Sequence, residues 1–226
     1  MTARAGRAAA RQRGATLVEF HAAMLLAAVP IVMATLELGM LFSARHALDY
    51  ATFEAARAGT VAQGARPRML MALATALAPL LAPLSTGDSI GNPSEVVAAA
   101  RAAALAEVLN PVYTSLVVET PRTADFDTVG VSTGSGSREI PNDNLSYRVR
   151  ARGSVTGTAL ANANMLAIRV TWCRRLYFPF IDGVLIAAMR SVAPQHELCY
   201  AARRLPITSR AVVQMQSAVS ERLIGE

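Results

Sequence analysis

Residues 20–36 (FHAAMLLAAVPIVMATL) contain no Asp, Glu, Lys or Arg, and the apolar character runs on past Glu37 to Phe42. Counted from Ala15 this is about 42 Å of α-helix, against a bilayer hydrocarbon core of about 30 Å. The length predicts a membrane-spanning helix. Arginines stand before the run and the chain beyond it is charge-mixed, so the positive-inside rule puts the N-terminus in the cytoplasm and the bulk of the chain outside. A cleaved secretory signal needs an apolar core of only about 7–15 residues followed by a small-x-small site. This run is too long for that, and the nearest such site, at residues 43–47, is interrupted by Arg45 and His46.

The chain has 226 residues, enough for one ordinary domain plus an extra element. Hydrophobic residues make up 53% and aromatics 5%, a balance that favours alanine- and leucine-rich helices over an all-β core. Of the formal charge of +6, four units come from Arg4, Arg7, Arg11 and Arg13, ahead of the apolar run. The near-balanced remainder carries no basic stripe interleaved with aromatics, which argues against a nucleic-acid partner.

At the mouth of the helix stands RQRGATLVEF, residues 11–20. A basic leader, Gly14, then Ala15-Thr16-Leu17-Val18-Glu19-Phe20 and an apolar helix resembles the processing site of type IV prepilins and pseudopilins. In that family a prepilin peptidase cuts after the glycine, and the fifth residue of the mature chain is glutamate, the place Glu19 holds counted from Ala15. Leu36-Glu37-Leu38-Gly39, Leu41-Phe42, Ala47-Leu48 and Ala55-Ala56-Arg57-Ala58-Gly59 are similar to the TadE-like branch, small pilin-related proteins of the tight-adherence (Tad, Flp-type, type IVc) pilus. The resemblance is strong over residues 11–59 and weak afterwards. His21 and Thr16 depart from the usual pattern, and His21 reads as an interfacial side chain reaching toward headgroups.

The resemblance implies a minor pilin or pseudopilin, an assembly subunit contributing to pilus biogenesis and surface adherence. It implies processing at Gly14–Ala15, and as partners the prepilin peptidase, other Tad pilus subunits, inner-membrane assembly proteins and the lipid bilayer. It places the chain in a bacterial inner membrane with its C-terminal domain in the periplasm, and it allows incorporation into a surface pilus. Residues 1–14 are then a leader, 15–59 the transmembrane and projecting helix, and 60–226 an extracytoplasmic α+β domain.

A cut after Gly14 would free an α-amino group at Ala15, charged at neutral pH and one helical turn before Glu19. Residues four apart share a helix face, so amine and carboxylate can neutralise each other within one chain or between neighbours. An acid in the first turn also suits the helix dipole. The plainer account makes Glu19 a cap at headgroup level. Glu37 follows 18 residues later, five full turns of an α-helix, which puts both carboxylates on one face about 27 Å apart. Either Glu37 is solvated in the outer headgroup layer, or it pairs with an arginine of another helix while Pro30 bends the spine between them. Glu19 and Glu37 are the candidate assembly residues.

Beyond the membrane the helix is expected to continue to Ala58, with Gly59 and Gly64 as stops. Residues 69–84, broken by Pro79 and Pro83, read as a buried or interfacial helix rather than a second span. Residues 85–92 read as a loop and 93–109 as an alanine-rich helix ended by Asn110-Pro111. Strands are expected at 113–120, 145–153, 168–178 and 207–215, with a flexible surface loop over 130–144. The sum is an α+β chain: a long N-terminal helix, further helices and a small antiparallel sheet.

No catalytic constellation, metal box or phosphate loop is present in the sequence, so no catalytic, metal or cofactor residue is assigned and an enzyme is not expected. Arg174 and Arg175, beside Trp172 and Tyr177, read as a solvated strand face, with a binding patch as the alternative. Cys173 and Cys199 form an even pair that the topology places outside the cytoplasm, which predicts a disulfide; two buried free thiols are the alternative. Two functional readings follow. One is the processed pilus subunit. The other is an uncut single-pass membrane protein with an extracytoplasmic binding or sensing domain.

Overall fold

The structure, a computed structural model, describes residues 15–82, 92–134, 136–151, 154–178 and 181–225. The leader with Gly14, and all but the last residue of the loop expected at 85–92, lie outside the described residues.

The N-terminal spine is helical from Ala15 to Val61: α1 (Ala15–Ala23), a π-helical turn (Met24–Ala28) and α2 (Val29–Val61). It is long and apolar enough to cross a membrane, and only 6% of its apolar window is buried. Pro30 has no N–H to give to the preceding turn. The wider π turn just ahead of it, closed by Val29 N–H on Met24 O, absorbs that defect without breaking the helix. A π turn takes up one residue more than an α turn, so the five-turn register between Glu19 and Glu37 is lost. The two carboxylates do not share a face.

From Glu37 onward the spine acquires a buried stripe: Glu37, Ala44, Leu48, Ala51, Ala55 and Gly59, with Leu41 half-buried between. Spacings of three, four and seven keep these residues on one side. The helix α3 (Arg66–Leu77) lays Met69, Leu73 and Leu77 against that stripe, and a 3-10 turn (Ala78–Leu81) follows, so residues 69–81 form a buried-faced helix as expected. Gly59 is a packing position rather than a stop. A Cβ there would lie 2.8 Å from both Leu166 and Met69, so any larger residue would force those side chains to shift. The turn itself falls at Gln63 and Gly64, both with positive φ. The last carbonyls of α2 are capped from far along the chain, since Thr60 O accepts the Gln216 and Ser217 N–H groups and the Ser217 hydroxyl.

The helix α4 (Pro93–Leu109) has the predicted bounds and buries Ala100, Ala104 and Val108. Then come β1 (Thr114–Thr120), α5 (Thr123–Val129), the short β2 (Val131–Ser132) and β3 (Arg138–Ile140), α6 (Leu145–Ala151), α7 (Ser154–Ala163) and β4 (Met165–Arg175). The chain closes with α8 (Ile181–Val192), α9 (Glu197–Ala201), β5 (Arg204–Gln214), β6 (Val219–Ser220) and α10 (Glu221–Gly225). The main sheet is antiparallel in the order β1-β4-β5, with Thr114 opposite Trp172 and Trp172 opposite Ile207. The second sheet, β2-β3-β6, is smaller.

The architecture is α+β, as expected, with two corrections. Residues 145–151 are helical, not a strand. Leu145, Arg148 and Val149 are the half-buried positions, spaced three and four apart, and Arg148 is held by Asp143 at 3.0 Å. The stretch 130–144 is not all loop: β2 and β3 pair within it.

Candidate functional site

In strand β4, Leu166, Ile168, Val170, Trp172 and Arg174 stand at every second position, are all buried, and face the same way, toward the spine. The alternation carries one charged residue into the interior. Arg174 is buried, and Glu37 on α2 is fully so. They meet at 3.2 Å, Arg174 Nη1 donating to Glu37 Oε1. The second carboxylate oxygen accepts the backbone N–H groups of Tyr177 and Phe178 at 3.0 and 3.1 Å. The Arg174 guanidinium also lies over the Tyr177 ring, 5.3 Å from its centroid.

This clasp corrects the solvated accounts of both residues. Glu37 is not solvated, and Arg174 is not on a solvated face. An arginine partner for Glu37 was one of the two expectations, but it comes from a strand of the same chain rather than from another helix. A buried ion pair is costly to desolvate and holds only when remaining lone pairs and protons are satisfied. Here both carboxylate oxygens are used.

The strand end that carries Arg174 is fixed from two sides. Cys173 and Cys199 are disulfide-bonded, with Cα atoms 5.4 Å apart, tying β4 to α9. Arg204 Nη1 donates to the carbonyl of Cys173 at 3.0 Å. The same guanidinium makes a two-pronged pair with Glu107 at 2.6 and 2.8 Å and stacks over Tyr113. Helix α4, strands β1, β4 and β5 and helix α9 thus converge on the point where the spine is gripped.

On the N-terminal side of Glu37 the spine is bare. Leu17, Phe20, Leu25, Leu26, Ile31 and Leu36 are exposed, Leu26 to 80%. Residues 15–36 make about 33 Å of helix, close to one hydrocarbon thickness. Glu19 is exposed at the start of that segment, and His21 Nδ1 turns back to Leu17 O at 2.7 Å. The predicted site residues therefore separate. Ala15 and Glu19 lie at the N-terminal end of the described spine, Glu37 is drawn into the domain, Cys173 and Cys199 are joined, and Gly14 is outside the described residues.

Two clusters escaped the sequence reading. Glu119 on β1 is held by Arg169 of β4 and Arg210 of β5, which stand directly opposite each other, and these pairs keep the Glu119 carboxyl below its ordinary range. An open groove between α2 and α3 is lined by Tyr50, Glu54, Ala58, Arg68, Met71 and Thr75. No family model, no curated protein and no solved structure matches the chain.

Proposed function

We propose that this protein is a membrane-anchored structural subunit, a TadE-like minor pilin or pseudopilin of a Tad-type pilus, processed after Gly14 and assembled through its spine. The observation that carries the reading is the division of one continuous helix at Glu37. One bilayer thickness of bare apolar helix precedes it, and a stripe packed on an antiparallel sheet follows it. A lipid-soluble half suits storage of the subunit in the inner membrane, and a rigid grip on the other half lets force on the spine reach the periplasmic domain. Glu19 is exposed near the start of the described spine, and in this reading it would meet an amine freed at Ala15 in its own chain or a neighbour's. In this reading the role is one of assembly.

The deciding experiment is the intact mass and N-terminal sequence of the protein extracted from membranes of a host that holds a prepilin peptidase. The expected product begins ATLVEF. A chain still beginning at Met1 would overturn the pilin reading in favour of an uncut single-pass protein whose outer domain binds or senses a ligand.

A further inference from the structure

Helix α8 is two-sided in a way the core does not need. Ile186 is buried against Tyr200, Leu205 and the half-buried Leu41 of the spine. Val184, Ala187, Ala188, Ser191 and Val192 are all exposed, at spacings of three and four that gather them on another face. Val184 is 68% and Val192 76% exposed. No charge belongs to that face. The charged residues of the helix are engaged elsewhere, Asp182 with Arg203 and Arg190 with Glu197.

The position of α8 is as informative as its pattern. Its buried side touches Leu41, one turn beyond Glu37, and Tyr177 and Phe178 just ahead of it are hydrogen-bonded to Glu37 itself. The helix therefore stands beside the spine at the level where the bare apolar segment ends. Leu38, Met40 and Phe42 keep the spine apolar and exposed across that same level.

We propose that α8, with Tyr177, is a second membrane contact, lying in the outer headgroup and upper acyl layer of the bilayer that the spine crosses. The inference rests on the membrane-anchored reading above. An apolar face beside a polar one, free of unpaired charge, is what an interfacial helix presents to lipid, and an aromatic ring carrying a hydroxyl fits the same depth. A second copy of the chain is the poorer occupant. A specific protein interface engages about 20–30 residues a side, and a face of five small side chains falls far short of that. A bilayer needs no shape complementarity.

The test places a nitroxide on cysteine at Val184→Cys, Val192→Cys, Leu25→Cys or Tyr147→Cys in the full chain, one site at a time. Each is reconstituted in phosphatidylethanolamine–phosphatidylglycerol vesicles. Leu25 reports the span, and Tyr147, 73% exposed on α6, reports water. Collisions with oxygen should exceed collisions with a water-soluble nickel complex at 184 and 192, as at 25 and opposite to 147. Labels at 184 and 192 that behave like 147 while 25 remains in lipid would overturn this inference alone. A label at 25 exposed to nickel would overturn the membrane-spanning reading and this one with it. Spin–spin broadening between chains at 184 and 192 would overturn it in favour of a second copy.

Discussion

Glu37 and Arg174, separated by 137 residues in the chain, form a buried pair 3.2 Å apart that joins the spine to the central strand of the main sheet. Removing either partner strands the other charge. Glu37→Ala should therefore lower stability by about 3–5 kcal/mol, the range for a broken buried pair. The double variant Glu37→Met with Arg174→Met should recover much of that loss, because neither charge remains to be desolvated. Trp172, the single tryptophan, is buried two residues from Arg174 and provides the fluorescence signal for denaturant titrations in detergent.

The Cys173–Cys199 bond should matter beyond its own loop, since it steadies the strand end from which Arg174 reaches Glu37. Closing a 26-residue loop contributes about 3–4 kcal/mol by the chain-entropy argument. The paired Cys173→Ser and Cys199→Ser variant should lose that amount. Alkylation without prior reduction should label neither cysteine in the native protein, and recovery of both as alkylated thiols would remove the bond.

Acid should weaken the main sheet through Glu119. Its carboxyl is depressed first by the hydrogen bond from Arg210 and also by Arg169. A depressed group contributes stability above its unfolded value, near 4.5, and loses that contribution as the pH falls through the lower folded value. Carboxyl-carbon NMR should place the Glu119 midpoint below 4.5, and Arg210→Gln should move it back toward 4.5. A wild-type midpoint at or above 4.5 would contradict the arrangement.

Glu19→Ala should still be cut after Gly14 yet fail to assemble. On the pilus-subunit reading proposed above, cutting depends on the backbone at the glycine, whereas packing in lipid depends on neutralising the amine at Ala15. Glu19→Gln keeps the shape and loses the charge, so it should behave like alanine. Cutting is read by mass and assembly by crosslinking to pilus partners. Wild-type assembly in both variants would reduce Glu19 to a cap.

Much of the helical half was legible because length and breakers speak plainly in one dimension. The charge-free run gave the spine, and Pro93 with Asn110-Pro111 bracketed α4 to the residue. Strands β1 and β5 were located within a few residues. Arg174 was misread although its parity matches Leu166, Ile168, Val170 and Trp172, because a cation outweighed the alternation it belongs to. Residues 145–151 failed for the opposite reason: arginines alternating with apolar residues imitate a strand, while the Leu145–Val149 spacing of four is what the interior uses. Glu37 could not be paired from sequence. Its partner lies across a tertiary contact, and no local pattern names a residue so distant.

The cap on the end of α2 sets an order of events during synthesis. Thr60 leaves the ribosome 157 residues before Ser217, whose hydroxyl and N–H it will hold. At about 5–20 residues per second, the Thr60 carbonyl waits roughly 8 to 30 s for these partners. The closure of the α2 end on residues 216 and 217 is correspondingly among the last steps of maturation, completed only after translation has nearly finished.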